Sequence, residues 1–261
     1  MSFYPILKAP GAKGWVTLCN FSPNNWEASQ CQKQCINVTW ASDGQWSSKT
    51  IGDLAPGQLR TITAGDVAHI VPDDALALMS LTLTPAPAKS IALPKLDAHL
   101  TGVPAWRATL GLSTAIAQTS YQGELDAFPS TGSLLTFGPF MQFGKGIKNH
   151  LILLNLETSP VIRTAELEIY DAAALKLKGR FLVGNNACTC ISLDGLNFEP
   201  SDLPLFICRN MTAIPLYFSS SMDGAFLSLE HTHPPASLVV HGRRWEAQKL
   251  LKNRWFAKVT S

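Results

Sequence analysis

Short runs of alternating apolar and polar residues, broken by Gly, Pro, Asn or Asp, extend along almost the whole chain. Clear cases are residues 15–21, 36–40, 59–63, 76–84, 151–156, 165–170, 187–193, 216–220 and 225–231. A side-chain period of two puts successive residues on opposite faces of a strand. A chain patterned this way cannot gather its apolar half on helices, so it must stack strand faces against one another. Helical periodicity over a dozen residues occurs only at the C-terminus. The pattern predicts an all-β protein with the strand spacing of sandwiches.

Composition closes off the alternatives. Of 261 residues, 46% are hydrophobic and only 15% are charged. A disordered chain or a coiled coil would be far richer in charge. A chain of this length buries enough surface to need no metal or disulfide staple. No apolar run approaches the ~18 residues of a membrane-spanning helix.

Four blocks recur in the same order. Residues 16–23 resemble 151–160, residues 36–44 resemble 165–173, and residues 54–63 fall where 182–192 fall in the second copy. Residues 75–88 resemble 224–236 at a longer offset, which implies an insertion before the last strand of the second copy. Each copy has a strand ending at an Asn, then an alternating strand leading into a tight turn such as Ser42-Asp43-Gly44. This order resembles immunoglobulin-like sandwiches, although no Cys…Trp…Cys spacing accompanies it. The expected architecture is two immunoglobulin-like β-sandwich domains, over residues 1–90 and 147–240. A Gly- and aromatic-rich connection spans 91–146, and a basic amphipathic helix spans 241–261.

Candidate sites cluster near the end of the last strand. His231 and His233 share one strand face and Glu230 takes the other, so the two imidazoles form a metal half-site. His241, His150 or a carboxylate would supply the third ligand. His231-x-His233 also resembles the first cupin motif, but the downstream Glu and the second motif are absent. The competing reading is a pair of polar residues capping the strand. Tyr121 and Glu124, with Asp126, form a second candidate, in which paired carboxylates would serve acid–base chemistry. The terminal segment 243–258 holds six basic side chains against Glu246, within a total of +2, leaving the body acidic. In the predicted helix Trp245, Gln248, Leu251, Trp255 and Val259 form one stripe, with basic residues on the other side. Arg243, Arg244 and Trp245 would suit an acidic or sugar ligand beside the histidines. The alternative is a helix packing its stripe on the sandwich edge.

No phosphate loop, hydrolase elbow or nucleotide-binding βαβ unit occurs. Low charge, seven tryptophans and the all-β pattern point to a non-catalytic binding or assembly module, its ligand a carbohydrate or surface-polysaccharide component. An enzyme at the His231/His233 strand end is the alternative. A peripheral adaptor, resting on an anionic membrane or a protein partner through the basic helix, is the second. No cofactor is expected apart from a divalent metal in the enzyme reading. Nucleic acid is not expected, because the basic patch is short and the body acidic. The six cysteines match no zinc spacing and read as structural thiols. The N-terminus lacks a basic and apolar leader pattern, so the expected location is cytoplasmic, at most peripheral to a membrane.

Overall fold

The computed structural model describes residues 3–20, 32–94, 108–123, 125–139, 141–144, 146–231 and 244–259, with only the backbone described for 244–248. Strands dominate. In the first half they are β1 (Tyr4–Pro5), β2 (Lys13–Cys19), β3 (Gln34–Ser42), β4 (Gln45–Leu54), β5 (Leu59–Thr63), β6 (Leu78–Thr82), β7 (Lys89–Ser90), β8 (Thr109–Ser113) and β9 (Gln118–Gln122). In the second half they are β10 (Leu134–Phe137), β11 (Ile147–Asn155), β12 (Thr164–Asp171), β13 (Lys176–Gly184), β14 (Ala187–Ser192), β15 (Pro204–Cys208), β16 (Ile214–Ser221) and β17 (Leu227–His231). The helices are α1 (Ala64–Val67) and α2 (Arg244–Lys258).

Four antiparallel sheets result. The orders β1-β6-β3-β4-β7 and β5-β2-β8-β9 make the first pair, and β10-β15-β12-β13 and β14-β11-β16-β17 the second. The fold is all-β, as the alternation predicts. The strands near the sheet centres, which give the sheets their names, are β3, β2, β12 and β11.

The two pairs share one topology. The order β5-β2-β8-β9 repeats as β14-β11-β16-β17, and β1-β6-β3-β4 repeats as β10-β15-β12-β13. The equivalent residues Asn20 and Asn155 are both buried. Asn20 Nδ2 donates to the Leu54 carbonyl at 2.8 Å, and Asn155 Oδ1 accepts from the Asn186 amide at 3.2 Å. Gly57 and Asn186 occupy the crossing from one sheet to the other, both left-handed, at φ 76° and 50°.

Two expectations need correction. The counterpart of β6 is β15, not β17, and β17 matches β9 instead. The resemblance of residues 75–88 to 224–236 reflects a shared alternation that any half-buried strand shows. Nor do the described strands within 91–146 serve only as a connection between sandwiches. β8 pairs with β2, β9 pairs with β8, and β10 pairs with β15, so this stretch completes one sheet and begins another.

Alternation on β11 divides the interior. Leu151 and Leu153 join Leu167, Ile169, Phe206 and Tyr217 in the core between the β11 and β12 sheets. Ile152 and Leu154 face the other way, into a core shared with Val16, Leu18, Ile36, Val38 and Leu110 of the first sandwich. β11 is therefore covered on both faces, which explains its nearly continuous apolar run. The Phe3–Leu125 bridge ties the chain before β1 to the chain after β9, and the Trp46 Nε1–H donates to the Thr158 carbonyl at 3.0 Å across the seam.

The helix α2 docks on the outward face of the β12 sheet. Trp255, Phe256 and Val259 pack against Tyr170, Leu205, Ile207, Leu135 and Phe137. The Phe137 and Trp255 rings meet edge to face at 5.2 Å, and the Arg209 guanidinium lies 4.8 Å from the Phe256 ring. The docked stripe is thus Lys252, Trp255, Phe256 and Val259, rotated from the predicted one. Leu251 is exposed, because Lys252 turns inward to donate to the Ser133 carbonyl at 2.8 Å. Among the described residues no helix is long and apolar enough to cross a membrane.

Candidate functional site

The seam brings together two of the residues singled out from sequence. β9 and β17 are edge strands of their sheets. The half-buried rings of Tyr121 and His231 meet with centroids 4.5 Å apart at an interplanar angle of 62°. Nearby, the Thr114 hydroxyl donates to the Gly224 carbonyl at 2.9 Å, joining the two hairpin turns. Edge-to-face packing of this kind is a favourable ring contact, worth about 1 kcal/mol beyond the area it buries. Glu230 is exposed on the other face of β17, as the period of two requires. Asp126 is exposed as well.

Most of the remaining candidates fall where the structure describes no side chain. Glu124, His233, His241 and Arg243 lie outside the described residues, and of Arg244 and Trp245 only the helical backbone is described. His150 stands on β11, separated from β17 by β16, with its ring 5.8 Å from that of Phe218. It is buried, and its Nδ1 has no partner among the described residues. Burial holds its pKa below the usual imidazole value; Lys148 acts in the same direction and Asp194 opposes. Among the described residues no three His, Cys, Asp or Glu side chains are grouped so as to hold a metal.

Two of the cysteines, Cys188 and Cys190, pack at the same seam. Cys188 Sγ accepts the Lys8 amide at 3.3 Å, and burial pushes its thiol up to about 11 and that of Cys190 to about 12. Such thiols are poor nucleophiles and poor ligands at neutral pH.

A different surface is concave. On β2, Val16 and Leu18 point into the core, so Trp15 and Thr17 point outward. The register puts Trp15 opposite Thr63 and Gly111, and Thr17 opposite Thr61 and Thr109. Ser113 stands opposite Gln118. These outward residues line an open concavity of about 460 Å³, formed by Trp15, Thr17, Thr61, Thr63, Thr109, Ser113 and Gln118. None of these side chains is titratable at neutral pH. The Thr17 and Thr61 hydroxyls bond to each other at 2.8 Å. The Thr63 hydroxyl donates to Asp66 Oδ2 at 2.7 Å, in the capping box of α1.

Trp15 is 7% exposed, and its Nε1 has no hydrogen-bond partner among the described residues. A buried indole N–H without a partner costs about 1–3 kcal/mol. The ring lies over Gly111, where an added Cβ would come within 2.7 Å of Cζ2. Glycine at this position is what lets the indole lie against the sheet.

The second sandwich shows what this face becomes when it is covered. The positions equivalent to Thr17 and Cys19 are Ile152 and Leu154, paired with Cys190 and Cys188 on β14 and with Leu216 and Ile214 on β16, while His150 takes the place of Trp15. Apart from His150, these residues all pack in the core shared with the first sandwich. One copy of the repeat uses its outward face to join the sandwiches; the other fills that face with hydroxyls and one indole. No motif exposes this site in the sequence. Its signature is Trp15-x-Thr17, Thr61-x-Thr63 and Thr109-x-Gly111-x-Ser113, one Trp and otherwise small uncharged residues at alternate positions of the strands.

No protein-family model, no curated protein and no solved structure matches the chain.

Proposed function

We propose that the protein is a non-catalytic binding module that holds a neutral carbohydrate on the outward face of the β2 sheet. One observation carries this reading: the concavity of about 460 Å³ is lined by hydroxyls, an amide and an indole, with no acid, base or metal ligand among them. Proton transfer needs a titratable group within hydrogen-bond reach of the reacting atoms, and metal catalysis needs a ligand set. A polyhydroxylated ligand needs the opposite, a rigid array of neutral donors and acceptors. Strand backbones supply that rigidity, since each hydroxyl is placed by a hydrogen-bonded ladder. A cytoplasmic location belongs to the same proposal, and the free thiols of Cys19, Cys35, Cys188, Cys190 and Cys208 support it.

Calorimetric titration with a panel of neutral and acidic oligosaccharides tests the reading. Neutral sugars are expected to bind and to be recovered chemically unchanged. Thr61→Arg, a substitution at an exposed position, should weaken binding at least tenfold by filling the concavity. Silence across the neutral panel, or turnover of a bound sugar, would overturn it.

A further inference from the structure

We infer that the ligand is an unbranched, uncharged glycan lying across the strands of the β2 sheet, with one sugar unit over each of β5, β2 and β8. This inference rests on the carbohydrate reading and adds an orientation and a substrate class to it.

The register carries the argument. Thr61, Thr17 and Thr109 stand directly opposite one another on three adjacent strands, so their hydroxyls form a row perpendicular to the strands. Gln122, opposite Thr109, extends the row onto β9. Adjacent strands lie about 4.8 Å apart, whereas same-face residues along one strand lie about 6.7 Å apart. The shorter spacing is close to the advance of one pyranose unit in an extended chain, and the longer one is not. A linear glycan therefore keeps step with the sheet only when it crosses the strands.

The flanks of the row are suited to the same ligand. On one side stand Thr63, Trp15 and Gly111, with the indole filling the space above the glycine. On the other side stand Leu59 and Cys19, paired opposite each other, with Leu59 60% exposed. The result is a hydroxyl floor bordered by the indole on one side and by Leu59 on the other. A pyranose presents the matching surface, with hydroxyls around its rim and C–H groups on its faces. Trp15 lines the concavity, and its buried Nε1 is a donor without an acceptor among the described residues.

Charge sets the class. Along the row no side chain is ionised, and Arg60, between Thr61 and Leu59, takes the opposite face, where its guanidinium lies against Gly52. Among the described residues a cation on this face is Lys13, one row beyond Trp15 and exposed. Uronic acids and sulfated sugars would place their anions over neutral hydroxyls and gain no ion pair.

The test is a length series on the intact protein, followed by calorimetry. The probes are β-1,4-linked glucose oligomers and α-1,4-linked glucose oligomers of one to six units, with a galacturonic acid trimer as the charged control. Affinity for at least one neutral series is expected to rise at least tenfold from one unit to three and to level off by five. The charged trimer should bind at least tenfold more weakly than the better-binding neutral trimer. Thr17→Val and Thr109→Val keep side-chain shape, and each should lower trimer affinity at least fivefold with unchanged thermal midpoints. Thr17→Ser, which keeps the hydroxyl, should restore binding to within twofold. Neutral sugars that bind equally well at every length, or that ignore both valine substitutions, would overturn the cross-strand placement and leave the carbohydrate reading standing. Failure of every neutral sugar to bind would end both.

Discussion

At the scale of single residues, the same physical term decides whether a group is functional or structural. His150 is buried beside Phe218, and desolvation holds its pKa below the ordinary 6.5. The unfolded chain then takes up a proton more readily than the folded one. The stability that neutral His150 contributes is full above about pH 6.5 and is lost as pH falls through the lower folded value. The slope in that window approaches about 1.4 kcal/mol per pH unit. Thermal melts of the wild type and His150→Phe, run between pH 7.5 and 4.5, should diverge below pH 6.5, with the variant losing less stability. Parallel curves would show that the imidazole is already solvated. Tyr121 and His231 were legible as interesting residues, because aromatic and ionisable side chains at strand ends invite function. Their contact across the seam was not legible, since nothing local says that two chain segments so far apart meet.

At the scale of elements, the turn between β12 and β13 contains a conflict. Leu175 is held at φ 54°, a left-handed conformation that costs a residue with a Cβ about 1–2 kcal/mol. The Asp171 carboxylate accepts the Ala173 and Ala174 amides at 3.1 and 3.2 Å, which fixes the start of the loop and leaves the strain at its end. Leu175→Gly should raise stability by about 0.5–1 kcal/mol, and Gly57→Ala, at φ 76°, should lower it by about 1 kcal/mol. Urea titrations of the two variants check the pair, and a Leu175→Gly protein less stable than the wild type would contradict the account. β5 and β14 were legible because clean alternation survives in them. β4 and β13 were not, because Lys49, Asp53, Lys176 and Arg180 interrupt the pattern on exposed positions. β15 escaped for the opposite reason: all five of its residues are buried, so it shows no alternation at all.

At the scale of the whole molecule, the seam joins two repeated bodies through a shared core. Ile152, Leu216 and Phe218 of the second sandwich share a core with Leu18, Ile36 and Leu78 of the first. Trp46 is fully buried in that core and reaches across to the Thr158 carbonyl. Calorimetry should show a single unfolding transition. Trp46→Ala should cost about 3–5 kcal/mol and lower the midpoint by roughly 10 °C while keeping one transition. Trp46→Phe should cost less, since it loses the hydrogen bond but keeps most of the buried area. Two resolved transitions in the wild type would mean that the sandwiches are coupled only loosely.

Local chemistry in the chain was enough to determine that this protein is all-β, that its pattern occurs twice, and where most turns fall, because side-chain period and turn residues act over a few positions. It also determined the C-terminal helix, though not which stripe of it docks. Only the tertiary structure decided which strands are neighbours. Pairing β5, β2 and β8 aligns Thr61, Thr17 and Thr109, drawn from three separate segments, into one hydroxyl row. The equivalent face of the second sandwich is instead buried under the first. Strand neighbourhood is set by long-range burial and register, and neither has a local signature in the order of residues.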